Sequence, residues 1–333
     1  MKVAKLFLST LALCSLLAAC GDDGNNDNPD ARTPDARELD AGEDTLYARL
    51  GGQAGIQAVI DDFLARVLDD PKINGYFLNE GANYDRLGLC LVKQVSAAAG
   101  APGVTYPQGD DPADADGCRN MKESHTGMGV SQQDFDDLAS DLVASMTAKG
   151  VAAADRTAVV NAIAPLSTEI VEDADNSATV YQRVGRRPAI EAVIDSFVTK
   201  VVANVEINGF FAGADAAAVA RLKVCLVRQV CGIDGPCVYG DELANSYEAG
   251  VAEDKQCRGM LESHQNLTDA DGNKIDKADF DALVGELVAT LDEVGVEEAD
   301  KNAILGALGP LCNDIVHRPT QGAGCAASTG ATK

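Results

Sequence analysis

Basic charge is what this chain most lacks: 27 Lys and Arg stand against 52 Asp and Glu, a formal net charge of −25 over 333 residues. Such a surface repels phosphate backbones and anionic lipid headgroups, which argues against nucleic-acid binding and against electrostatic membrane attachment. Histidine is nearly absent, at three residues: His125, His264 and His317. No Ser-His-Asp set, paired-carboxylate arrangement or phosphate-cradling glycine loop is present, so the sequence gives no positive sign of an enzyme. No segment alternates apolar and polar residues as a half-buried strand would. Beyond the N-terminus, no run is long and apolar enough to span a bilayer.

The first 20 residues carry Lys2 and Lys5, an apolar stretch from Leu6 to Ala19, and then Cys20 after Leu17-Ala18-Ala19. This short apolar core behind a basic start reads as an export signal rather than a span. Its end resembles the bacterial lipobox, which implies a lipid anchor on Cys20; Gly21 after it favours the outer membrane by the usual sorting rule. Residues 21–44 are dense in Asp, Asn, Gly and Pro and nearly free of large apolar side chains. They cannot bury enough surface to fold and are expected to be a tether. Cys14 leaves with the signal and Cys20 takes lipid, so eight of the ten cysteines remain, an even set that reads as disulfides in an oxidising envelope compartment.

The rest of the chain repeats itself. TLYARLGGQAGIQAVIDDFLARVLDDPKINGYF from Thr45 matches TVYQRVGRRPAIEAVIDSFVTKVVANVEINGFF from Thr179, at an offset of 134. RLGLCLVKQV matches RLKVCLVRQV at 135, CRNMKESH matches CRGMLESH at 139, and Asp134-Phe135 match Asp279-Phe280 at 145. The offset grows only where loops absorb insertions, as expected of a duplicated domain. Ile56, Val59, Ile60, Phe63 and Val67 form a helical apolar stripe, repeated by Ile190, Val193, Ile194, Phe197 and Val201. Phe135, Leu138, Leu142 and Met146, then Val159, Ile163, Leu166 and Ile170, predict two more helices, N-capped by Ser131 and Asp155. The expected fold class is all-α with short connections.

The order of these blocks, LYARLGG with FLARVLDDPKINGYF, then RL…L, then M-x-x-x-H-x-G-x-G before an acidic-Phe helix, resembles the group I truncated haemoglobins. The resemblance implies two tandem two-over-two helical globin domains, 45–174 and 179–316, with a tail at 317–333. It implies His125 and His264 as proximal ligands of haem iron, and Phe77 and Phe211 wedged against the haem, with Phe63 and Phe197 more plausibly core. It also implies apolar haem-facing rows of Leu87 and Leu91 in the first domain and Leu222 and Leu226 in the second. Many relatives place a tyrosine directly after the Phe63 position; Leu64 and Val198 stand there, so bound oxygen lacks its usual donor.

Gln94 and Gln229 share the face of those leucines and either supply an amide to the pocket or sit outside it, the latter being favoured. Arg86 and Arg221 either meet haem propionates or are solvated. After His264 the glycines give way to QNLTDADGNKID, which weakens the second site. DADGNKID itself lacks the glycine and closing glutamate of a calcium loop and reads as an exposed acidic turn. His317, in the tail, reads as solvated.

Both domains carry long loops that end in a cysteine seven residues before the histidine. The expected disulfides are Cys90 with Cys118, Cys225 with Cys257, Cys231 with Cys237, and Cys312 with Cys325; closing a large loop contributes roughly 3 kcal/mol. The absence of C-x-x-C spacing argues against zinc. The absence of C-x-x-C-H means that the expected haem b is held non-covalently, in the first domain and more weakly in the second. The function expected is a lipid-anchored envelope protein binding haem and a small diatomic ligand or peroxide; the alternative is a haem-less globin scaffold serving as a surface module.

Overall fold

The amphipathic stripes become helices in the computed structural model, which describes residues 45–77, 83–237, 239, 257–317 and 325. The leader 1–20 with Cys20, the tether 21–44 and the tail beyond His317 apart from Cys325 lie outside the described residues. Among the described residues there is no β-strand, only isolated bridges of Ser131 with Asp173 and Thr268 with Lys274.

The first half runs α1 (Leu46–Arg49), α2 (Gly52–Asp69), a 3-10 turn (Asn74–Tyr76), α3 (Tyr84–Ala98), α4 (Met121–His125), α5 (Gln132–Ala148), α6 (Ala153–Ile163) and α7 (Ser167–Ile170). The second half follows in the same order: α8 (Val180–Arg183), α9 (Arg186–Ala203), a 3-10 turn (Asn208–Phe211), α10 (Ala216–Cys231), α11 (Met260–His264), α12 (Lys277–Glu293), α13 (Glu298–Leu308) and α14 (Cys312–Ile315). Helices α2 and α9 are both 18 residues long, and α5 and α12 are both 17.

Each half has its own core. In the first, Ile56, Val59, Ile60, Phe63 and Val67 of α2 meet Val92 of α3, Leu142 and Met146 of α5, and Val159 of α6. In the second, Ile190, Ile194, Phe197 and Val201 of α9 meet Val227, Leu287, Leu291 and Ile304. Fully burying such a side chain contributes about 1.5–3 kcal/mol. A smaller cluster of Met121, Val130, Phe135 and Ile170 lies around the α4 turn, and Ile275, Phe280, Cys312 and Ile315 form its counterpart.

Two expectations need correction. The stripe from Val159 to Ile170 is not one helix: α6 stops at Ile163, a 3-10 turn covers Ala164–Leu166, and α7 follows. Pro165 explains the break, because it has no N–H to donate and its ring clashes with the preceding turn; Pro310 does the same after α13. Ser131 does cap α5, in a reciprocal capping box with Asp134. Asp155 does not cap α6. The N-cap is Ala152, and Asp155 lies inside the first turn, where it accepts Arg49 Nε at 2.8 Å.

The halves meet through a buried polar junction. Arg186, 3 % exposed, pairs with Asp134 at 2.8 Å and with Asp137 at 2.6 Å, and donates to the Lys72 carbonyl at 2.9 Å. Its φ of 65° is left-handed, matching the 63° of Gly52 at the corresponding place in the first half. A side chain there costs on the order of 1 kcal/mol or more, and the ion pairs hold it in place. Gln182 donates to Asp134 at 2.9 Å and Arg187 to Asn74 Oδ1 at 2.9 Å.

Candidate functional site

A half-buried histidine with one ring nitrogen tied to the main chain is the centre of each half. In α4, His125 Nδ1 donates to the Met121 carbonyl at 2.7 Å; in α11, His264 Nδ1 donates to the Met260 carbonyl at the same distance. A carbonyl only accepts, so Nδ1 carries the proton and Nε2 keeps its lone pair. Burial pulls both imidazoles below the ordinary histidine range, opposed in part by those hydrogen bonds. Both rings are therefore neutral at pH 7, the form that binds a metal ion.

Each histidine lines a cavity of about 370 Å³. Leu87, Leu91 and Phe77 share the first with His125. Leu222, Leu226, Val198 and Phe211 share the second with His264. The structure thus brings together all but one of the residues expected at the two sites. The exception is Leu64, which does not line the cavity: its Cδ1 packs toward α3, 3.5 Å from where a Cβ on Gly88 would stand. Phe63 lines the wall instead, as does Phe197 in the second half, and both are also core.

Gln94 and Gln229, expected outside, line the cavities. Gln94 Nε2 donates to Met121 Sδ at 3.4 Å, one turn before His125, while Gln229 Oε1 is buried without a hydrogen-bond partner. The helix brings them in because its buried face is Gly88, Val92 and Ser96, which turns the Leu87–Leu91–Gln94 side toward the open space. Arg86 and Arg221 also line their cavities, as the propionate reading requires. Sequence reasoning missed two tyrosines in the first wall, Tyr76 and Tyr106.

The turn after each histidine differs. In the first half, Glu172 accepts the amides of Gly127 and Gly129 at 2.7 and 2.6 Å, and Asn120 caps α4 by accepting Glu123 N at 2.7 Å. In the second, Gly259 offers no side-chain cap. His317 takes the place of Glu172: the Glu172 amide donates to the Val130 carbonyl at 2.8 Å, and the His317 amide donates to the Ile275 carbonyl at 3.0 Å. His317 is thus half-buried, with Nε2 at 2.9 Å from the Asp314 carbonyl, rather than a free tail residue, and its nearness adds to the lowering of the His264 pKa that burial causes.

All four expected disulfides are formed. Cys90–Cys118 and Cys225–Cys257 tie the segments before α4 and α11 to α3 and α10, Cys231–Cys237 closes the end of α10, and Cys312–Cys325 fastens the tail. In the acidic DADGNKID turn, Asp269 accepts the amides of Asp271 and Asn273. Among the described residues, no cluster of three metal-ligating side chains occurs.

The chain is similar to known proteins over the segment that holds the first cavity. A family model for bacterial-like globins matches residues 45–172. The group 1 truncated hemoglobin GlbN of Mycolicibacterium paratuberculosis is 33% identical over 136 residues, covering 41% of this chain and 90% of that protein. GlbN of a Synechocystis species is 29% identical over 134 residues, covering 39% and 91%. The crystal structure of the 2/2 hemoglobin from Synechococcus sp. PCC 7002 is 24% identical, with a TM-score of 0.33, over 42% of this chain and all of that one. A half-buried neutral histidine, a phenylalanine beside it and an apolar helical wall, together with the 33% identity to a group 1 truncated hemoglobin over 90% of its length, place the chain in the truncated haemoglobin family.

Proposed function

We infer that this is a two-site haem protein, built of two tandem truncated-globin domains at 45–174 and 179–316. The observation that carries the reading is the neutral imidazole. In each half, a histidine whose Nδ1 is committed to a carbonyl leaves Nε2 to a largely apolar cavity of about 370 Å³. That donor set fits haem b. His125 or His264 would hold the iron through its free Nε2, and the apolar lining with Phe77 or Phe211 would hold the macrocycle. Bound there, haem supplies the capacity to hold a diatomic ligand or react with peroxide.

The chain's own residues set the limits on that chemistry. Leu87 and Leu91, or Val198, Leu222 and Leu226, exclude water and donate no hydrogen bond. The Gln94 and Gln229 amides also line the cavities, so any stabilisation of a bound ligand's outer atom would come from them and not from a tyrosine after Phe63. The assignment is a haem protein that binds a small diatomic ligand or peroxide. Among the described residues no helix is long and apolar enough to cross a membrane. Attachment to the envelope, favouring the outer membrane, is assigned to lipid on Cys20.

Hemin titration of the purified oxidised protein, followed by its Soret band, tests the reading. Two equivalents are expected for the wild type and one for either His125→Ala or His264→Ala. Absence of stoichiometric uptake, or uptake indifferent to both substitutions, would overturn it in favour of a haem-less scaffold.

A further inference from the structure

A tyrosine in the wall of the first cavity, Tyr76, is bonded to a buried carboxylate behind that wall, Asp134, and the second half has a phenylalanine at the tyrosine's position. Tyr76 and Tyr106 both line the first cavity. Tyr106 Oη donates to the Arg119 main-chain carbonyl at 3.0 Å, a group that cannot keep a proton. Tyr76 Oη donates to Asp134 Oδ2 at 2.9 Å. In the second cavity, Phe210 takes the Tyr76 position and Tyr239 donates to the Arg258 carbonyl, as Tyr106 does to Arg119. Packing alone does not call for the hydroxyl, since a phenylalanine fills the same place in the other half.

We propose that Tyr76 is a redox-active side chain, the internal one-electron donor of the first cavity, with Asp134 as the acceptor of its phenolic proton. The proposal rests on the haem reading above. Hydrogen peroxide is the oxidant: with two protons from solvent it becomes two waters and removes two electrons from the loaded site, one from the haem and one from Tyr76. The Tyr76 O–H proton moves to Asp134 Oδ2, and a neutral phenoxyl radical remains. The apolar wall of Leu87 and Leu91 offers no other oxidisable group with a proton acceptor, so without Tyr76 the oxidising equivalent falls on the macrocycle or on neighbours such as Met121.

The surroundings suit this role. Asp134 is 2 % exposed and fixed by Arg186, Gln182 and Ser131, so the hydrogen bond to Tyr76 is geometrically defined. Burial, then the Asp134 charge, raises the Tyr76 pKa well above the usual phenol range. The phenol therefore stays protonated at rest and gives up its proton only with its electron.

The test is freeze-quench electron paramagnetic resonance of the haem-loaded full chain mixed with hydrogen peroxide. Wild type is expected to give a tyrosyl radical that forms more slowly in deuterated water. Tyr76→Phe, a change the second half already tolerates at Phe210, is expected to lose most of that signal per haem bound, and Tyr106→Phe to keep it. A haem-loaded wild type without a tyrosyl radical, or an equal radical yield in Tyr76→Phe, overturns the proposal. Failure of the wild type to take up haem at all would instead strike the haem reading on which it stands.

Discussion

The two histidine turns are the same device built to different standards. Both place a neutral imidazole in a cavity of about 370 Å³, and both are braced by a disulfide to the neighbouring helix. Around His125, however, Asn120 caps the short helix and one carboxylate, Glu172, holds two glycine amides. Around His264, the cap is a glycine, the glycine turn is replaced by a longer acidic loop, and His317 stands where Glu172 would be. A donor set survives such loosening while its pre-organisation does not. The apolar stripes and the disulfides are shared, but only the first turn keeps its polar supports.

The carboxylate that follows the turn shows the same asymmetry. Asp134 is sealed by Arg186, Gln182 and Tyr76, whereas its counterpart Asp279 lines the open second cavity and has its pKa raised, by burial first and the nearby Asp276 charge after it. The second half supplies the seal for the first.

Removing that seal is expected to have the largest effect. Arg186→Ala leaves Asp134 buried without its cation and should cost about 3–5 kcal/mol in urea unfolding. Part of that loss is offset by relief of left-handed strain, so Arg186→Gly should be milder than Arg186→Ala. Equal losses would show that the backbone conformation carries no cost.

The smaller effect concerns the turn itself. Glu172→Ala should speed haem loss from the first site by roughly tenfold, equivalent to about 1.4 kcal/mol, through loss of charge-assisted bonds to two amides. The converse change, His317→Glu, should not tighten the second site, because the glycine amides it would need are absent there. A tightening would mean that charge near the histidine matters more than the turn.

Much of this was legible in the sequence, for identifiable reasons. The stripe from Ile56 to Val67 is a local helical period and folded as read. The repeat placed His125 and His264 in equivalent positions, and the eight cysteines paired as spacing suggested. What was lost depends on rotation or on distance along the chain. Leu64 and Gln94 were misplaced because a small rotation of α2 or α3 exchanges wall for interior, and neither apolarity nor spacing fixes it. The Pro165 break was visible, but was overridden by the stripe around it. Arg186 carried a weak signal, a large side chain where Gly52 stands in the first half, yet its partners Asp134 and Asp137 lie some fifty residues away.

The central claim is that both sites hold haem and that the first holds it more firmly. The direct measurement is transfer of haem to an excess of acceptor apoglobin from two variants, His264→Ala, which leaves the first site, and His125→Ala, which leaves the second. The account predicts slower transfer from His264→Ala; equal rates, or faster transfer from that variant, would contradict it.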